Sequence, residues 1–220
     1  MSTLPQSPFL CVITDEDLSA DDIASAVGSA CAAGPLVVQL RARNRGGAAL
    51  FDLARRLRAV TAAHQSLLIM HDRLDIALAA RADGVHLPGS GISARIARDL
   101  VKRREQRRDR LLIGLSVHSV DEIRANAACV DYFQFGPVFA TPSKDAYGPP
   151  QGLATLMDAV AASSEAQRPL VAVGGIDATN AEAVIAGGAA GIAVIRAVMR
   201  ASDPHAAAAA LCNAITRRRA

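Results

Sequence analysis

The chain has 220 residues, 51% apolar and 20% charged, a composition ordinary for a soluble globular protein and long enough for one large domain or two small ones. Aromatics make up 3% and Trp is absent, so the core must be built from Ala, Val, Leu and Ile, as in helix-covered parallel sheets. The net charge is only +3, the basic runs Lys102–Arg110 and Arg217–Arg219 carry no aromatics for stacking on bases, and no apolar run reaches membrane-spanning length, so neither nucleic acid nor membrane is an expected partner.

The first predicted strand is FLCVIT, residues 9–14, and a helix follows near 20–33, with Ser19 and Asp21–Asp22 at its start. LVVQL (36–40) leads to a helix near 46–63, and SLLIM (66–70) to one near 73–81. DGVHL (83–87) precedes a helix near 92–104. LLIGLS (111–116) precedes one near 119–128, where Ser119 and Glu122 form a capping-box pattern. VDYFQFG (130–136) is followed by a helix near 152–162. PLVAVGG (169–175) is followed by one near 178–187, introduced by Asp177 and stopped by Gly187–Gly188. AGIAVI (190–195) and a helix near 204–218 close the series. Eight strand–helix units without a long linker predict a single-domain (β/α)8 TIM barrel over residues 1–220, with 1–8 and 217–220 as flexible ends. A doubly wound open sheet is the alternative, but no G-x-G-x-x-G follows the first strand.

The cysteines Cys11, Cys31, Cys129 and Cys212 match no CxxC or zinc spacing, and Cys11 and Cys129 lie in apolar runs that read as buried thiols. With no signal-peptide pattern, a reducing cytoplasm is the expected location. Oligomeric state is left open, a homo-oligomer included.

A barrel carries its active site at the C-terminal ends of its strands. Gln39, Arg41 and Arg43 follow strand 2, and His71 and Asp72 follow strand 3. His86 and a PGSG loop follow strand 4, and Ser116 ends strand 5 with His118 just beyond. Thr141, Ser143 and Lys144 follow strand 6, Gly174 and Gly175 strand 7, and Arg196 strand 8. Gln39 and Arg41 are two apart and point to one face, where an inward arginine calls for a negative partner. Asp72 reads either as the N-cap of the third helix or as a metal- or phosphate-side carboxylate. His86, inside a strand, reads as a core or mouth histidine with a structural hydrogen bond. His118, at a helix entry, is placed for general acid–base work. Gly174–Gly175 reads either as a tight turn or as backbone that approaches a phosphate between the last two loops. The hydroxyls of Thr141 and Ser143 and the cation of Lys144 lie one loop away. A phosphorylated small molecule is the expected ligand.

The segments VQLRAR, HDRLDIALAARADGVHL, IGLSVHS, DYFQFGPVFATPSK, VAVGGI and GAAGIAVIRAV, in this order, resemble the thiamin phosphate synthase/TenI family along nearly the whole chain. The resemblance implies a barrel that handles thiazole phosphate. In the synthase branch, thiazole phosphate is joined to hydroxymethylpyrimidine pyrophosphate with Mg2+ and release of pyrophosphate. There Gln39 would face the pyrimidine, and Arg41, Arg43, Ser116 and Lys144 would hold pyrophosphate. Asp72 would bind magnesium, and Thr141, Ser143, Gly175, Ile195 and Arg196 would surround the thiazole phosphate. Some positions depart from the synthases. Gly91 stands where a second metal-binding aspartate is usual, His71 where Asn is usual, Arg43 where Lys is usual and Arg196 where Ser is usual. These departures lean toward the TenI branch, whose thiazole tautomerases need no cofactor and for which His118 is the acid/base candidate. Asp72 leans the other way. The favoured expectation is therefore a TenI-like tautomerase, an isomerase. A magnesium-dependent synthase is the alternative, and a non-catalytic binder of such phosphates is a third reading.

Overall fold

The computed structural model describes residues 3–104, 111–141 and 149–217. The strands are β1 (Phe9–Ile13), β2 (Val37–Leu40), β3 (Leu67–His71), β4 (Gly84–Leu87), β5 (Leu112–Val117), β6 (Tyr132–Phe135), β7 (Leu170–Val173) and β8 (Gly191–Val194). All pair in parallel in chain order, and β8 returns to β1 to close the barrel. Among the described residues the helices are α1 (Ala20–Cys31), α2 (Gly47–Ala63), α3 (Leu74–Ala79), α4 (Ala94–Arg104), α5 (Val120–Asn126), α6 (Gly152–Glu165), α7 (Ala181–Ala186), α8 (Arg196–Met199) and α9 (Pro204–Thr216). The barrel expectation holds.

Continuous apolar runs form these strands because both faces are buried, yet successive side chains still alternate. In β1, Leu10 and Val12 pack outward against the helices, while Phe9, Cys11 and Ile13 fill the barrel with Val37, Ile69, Leu112 and Tyr132. Cys11 is buried as expected, and burial pushes its thiol up to about 12, so it packs as an inert apolar group. Cys129, expected buried, is partly exposed because it lies in the turn after α5 rather than in β6.

Helix caps match the sequence unevenly. Ser19 caps α1 by accepting from Asp22 N–H, and Ser119 caps α5 by accepting from Glu122 N–H. Glu122 does not complete the box at Ser119; its carboxylate takes the backbone N–H of His118 at 2.6 Å. Asp177 lies too early to cap α7, whose N-cap is Asn180, and instead accepts from Thr179 in a local turn. Asp72 caps nothing, since Arg73 is the N-cap of α3.

At the N-terminal end of the barrel, carboxylates tie adjacent strands. Asp83, just before β4, accepts from Leu68 N–H of β3, and Asp131, just before β6, accepts from Ile113 N–H of β5, both at 2.8 Å. Arg98 of α4 meets Asp131 at 2.7 Å, with side chains 11% and 8% exposed. Removing one partner of such a buried pair strands the other charge. Arg98→Ala is therefore expected to cost about 3 kcal/mol, read as a shift of the denaturant midpoint.

Candidate active site

The opposite end of the barrel gathers the polar residues. Gln39 of β2 is buried; Gln134 of β6 donates to its Oε1 at 2.7 Å, and its own Nε2 donates to His71 Nδ1 at 3.4 Å. That bond makes Nδ1 of His71 the acceptor, so its neutral ring carries the proton on Nε2. The His71 ring stacks on that of His86, with centroids 6.1 Å apart. His86 is fully buried, and its Nε2 lies 2.8 Å from Ser116 Oγ, the structural bond expected of it. Gln39, His71 and Ser116 thus form the polar floor of the mouth.

The negative partner that Arg41 required is inside the chain. Glu16, in the loop after β1, pairs with Arg41 at 3.1 Å and with Arg43 at 2.8 Å. Its neighbour Asp15, which is buried, pairs with Arg200, just after α8, at 2.6 Å. Hydrogen bonds from Arg43 hold the Glu16 carboxyl below its ordinary value. Burial alone would raise Asp15, but the Arg200 bond, the Asp17 N–H and the charges of Arg200 and Arg196 bring it below its ordinary value. Both carboxyls therefore bind protons more weakly folded than unfolded. Their contribution to stability is complete above the ordinary values of 3.8 and 4.5 and is lost as pH falls through the lowered ones. Thermal melting is expected to decline in acid below this range, and to decline less in an Asp15→Asn, Glu16→Gln double variant.

Asp72 follows β3 with φ +65°, its N–H donating to His86 O at 2.8 Å and its carboxylate exposed at the mouth. A Cβ at Gly91 would stand 2.6 Å from Asp72 Oδ1. The β3 and β4 loops therefore bring positions 72 and 91 together, with the Asp72 carboxylate filling the space of the missing side chain. Among the described residues, no three Asp, Glu, His or Cys side chains converge as a metal site. Magnesium nevertheless accepts one or two carboxylates when substrate phosphates and water complete its octahedron, and Asp72 fits that minimal donor set.

His118, beyond β5, contacts Gly136 O through Nδ1 at 2.6 Å. A carbonyl only accepts, so Nδ1 carries a proton and Nε2 is the basic atom of the neutral ring. Gln151 donates to the His118 carbonyl at 2.9 Å, which fixes the backbone from the other side.

After β7 and β8 a pocket is lined by Thr141, Gly174, Gly175, Ile176, Ile195 and Arg196. Gly174 and Gly175 have φ +105° and +63°, and Cβ atoms there would stand 2.6 Å from Pro137 and 2.5 Å from Ala140 O. The glycines therefore serve the close seating of the β6 loop as well as the pocket wall. Arg196 is exposed and lines this pocket. The helix α8 behind it was not expected. Ser143 and Lys144 lie outside the described residues. Sequence reasoning missed Asp15 and Glu16, whose signal was their place in TDEDL, directly after the first strand.

Comparison with known proteins agrees with the barrel fold. The family described as thiamine monophosphate synthase (TMP-TENI) matches residues 10–198. A thiamine-phosphate synthase of Chlorobium limicola is 41% identical over 93% of this chain and 92% of its own. A second, of Chlorobium phaeovibrioides, is 42% identical over 94% of each. The solved thiamine phosphate pyrophosphorylase of Pyrococcus furiosus superposes with a TM-score of 0.82, at 32% identity, over 94% of this chain and 95% of that one. The favoured expectation of an isomerase finds no support among these relatives, whose names are those of a synthase.

Proposed function

The chain belongs to the thiamine monophosphate synthase family, and from that premise we propose that it is a thiamin phosphate synthase, a transferase joining thiazole phosphate to hydroxymethylpyrimidine pyrophosphate. The observation that carries this reading is full-length similarity, 41–42% identity across more than nine-tenths of both chains, to relatives named thiamine-phosphate synthase. The tautomerase expectation rested on Gly91, and one carboxylate suffices where the substrate brings phosphate oxygens of its own.

In the proposed reaction the thiazole nitrogen forms a bond to the pyrimidine methylene carbon as the bond from that carbon to pyrophosphate breaks. Arg41, Arg43 and Lys144 meet the leaving group, and Asp72 would hold magnesium against it. Magnesium, when bound, supplies charge stabilisation to the departing pyrophosphate. Gln39 faces the pyrimidine from the polar floor. Thr141, Ser143, Gly174, Gly175 and Ile195 receive the thiazole phosphate, and Arg196 adds a cation where the family usually has Ser.

The leaving group departs as an anion and the product is a thiazolium, so no proton needs to be shuttled. The test is pyrophosphate release from the two substrates with magnesium, in the wild type and in His118→Asn. Release by the wild type is expected, with less than about tenfold loss in the variant. A group that shuttles the rate-determining proton would cost ~10²–10⁴-fold. No release by the wild type would contradict the proposal.

A further inference from the structure

We propose that Glu16 positions Arg41 to receive the pyrophosphate group of the substrate, a role that rests on the synthase reading. The β1 loop grips the start of the β2 loop at several points. Thr14 Oγ1 donates to Arg41 O at 2.8 Å and accepts from Arg41 N–H at 2.9 Å, which fixes the Arg41 backbone. Asn44 Nδ2 donates to Glu16 O at 2.9 Å, which fixes the Glu16 backbone. Between them the Glu16 carboxylate spans both arginines. Oε2 accepts from Arg43 N–H at 3.0 Å and Nε at 3.3 Å, and Oε1 accepts from Arg43 Nη2 at 2.8 Å and pairs with Arg41 Nη2 at 3.1 Å.

The two arginines are used differently. Arg43 commits its Nε–Nη2 edge, the bidentate one, to Glu16, and its side chain is 55% exposed. Arg41 comes nearest to Glu16 through Nη2, at 3.1 Å, and its side chain is 20% exposed. A guanidinium has five N–H donors in a fixed plane, so one anchored Nη2 orients the others toward a ligand without consuming them. Two guanidinium charges against one carboxylate leave a net positive charge for an anion. A carboxylate that merely occupied the anion's seat would leave when the substrate arrived. Glu16 is tied to the Arg43 backbone N–H as well, and leaving would orphan that donor. Arg43 therefore serves also as the second strap of the clamp, while its charge adds to the attraction of the leaving group. The neighbouring Asp15 and Arg200 pair anchors the same loop to the β8 side of the mouth.

The test is calorimetry with inorganic pyrophosphate plus magnesium, alongside steady-state kinetics. Glu16→Gln keeps the shape but adds net positive charge, so a purely electrostatic role predicts tighter binding. Loss of positioning instead predicts a Kd for pyrophosphate, and a KM for the pyrimidine substrate, about tenfold higher. The KM for thiazole phosphate is expected to stay unchanged. Glu16→Asp, which keeps the charge, is expected to recover part of the loss. In an Arg41→Gln background, Glu16→Gln is expected to have no further effect on Kd, which a general loss of stability would not reproduce. Unchanged or tighter pyrophosphate binding by Glu16→Gln, or an undiminished effect without Arg41, overturns the proposal. Wild-type protein that binds pyrophosphate through this clamp yet forms no thiamin phosphate overturns the synthase reading and leaves the role of Glu16 standing.

Discussion

Asp72→Asn is expected to lower kcat/KM for thiamin phosphate formation by ~100-fold or more, to raise the magnesium concentration needed for half-maximal rate, and to leave the melting temperature unchanged. The separation of activity from stability follows from backbone geometry. Asp72 sits at φ +65°, a left-handed conformation that Asn adopts readily, and the bond from its N–H to His86 O does not involve the side chain. Its carboxylate is exposed and caps no helix, so the isosteric amide removes only the charge. With Gly91 opposite, no second carboxylate takes over at that position. An Asp72→Asn enzyme of near-normal activity at ordinary magnesium would remove Asp72 from the metal's donor set.

Gly175→Ala is expected to damage both stability and the thiazole side of the site. At φ +63° an alanine pays about 1–2 kcal/mol of left-handed strain. Its Cβ would also stand 2.5 Å from Ala140 O and 2.8 Å from Phe139 Cβ. The first of these is backbone, which cannot swing aside, so the β6 loop must retreat from β7. That loop is seated by Val138 N–H on Val173 O and Phe139 N–H on Gly174 O, both at 3.0 Å, and it carries Thr141 into the pocket. Strain and overpacking together predict a loss of about 2–4 kcal/mol. In the protein that still folds, KM for thiazole phosphate is expected to rise about tenfold or more, with KM for the pyrimidine substrate far less affected. A variant of unchanged stability and KM would show that the loop yields without cost.

The barrel was legible because the strands, buried on both faces, left largely apolar runs bounded by polar turns. The helix α8 was not, since four residues, Arg196–Met199, are too short to show a helical period. Asp177 looked like a cap because caps are read from proximity to a helix, whereas the chain makes a separate turn with Thr179 before α7 begins. The rule that chemistry gathers after the strands placed Gln39, Arg41, Asp72, His118, Thr141 and Gly175 at one end of the barrel. It could not show that Gln39, His71 and Ser116 bond to one another or to His86 and Gln134, because such pairs meet only once the barrel closes, between neighbouring strands for Gln39–His71 and His86–Ser116 and from β2 to β6 for Gln39–Gln134. Glu16 escaped notice for a similar reason. In the sequence it is one acid among several before a helix, and its partners Arg41 and Arg43 lie a full strand–helix unit away.

The choice between the branches turns on a metal-dependent transfer against a metal-free proton shift. The most direct measurement assays both reactions side by side on one preparation, with magnesium and with a chelator. Pyrophosphate and thiamin phosphate formed in equal amounts, only when both substrates and magnesium are present, are the result expected of a synthase. Aromatisation of a thiazole carboxylate phosphate in chelator, with no pyrophosphate released from the paired substrates, would contradict it.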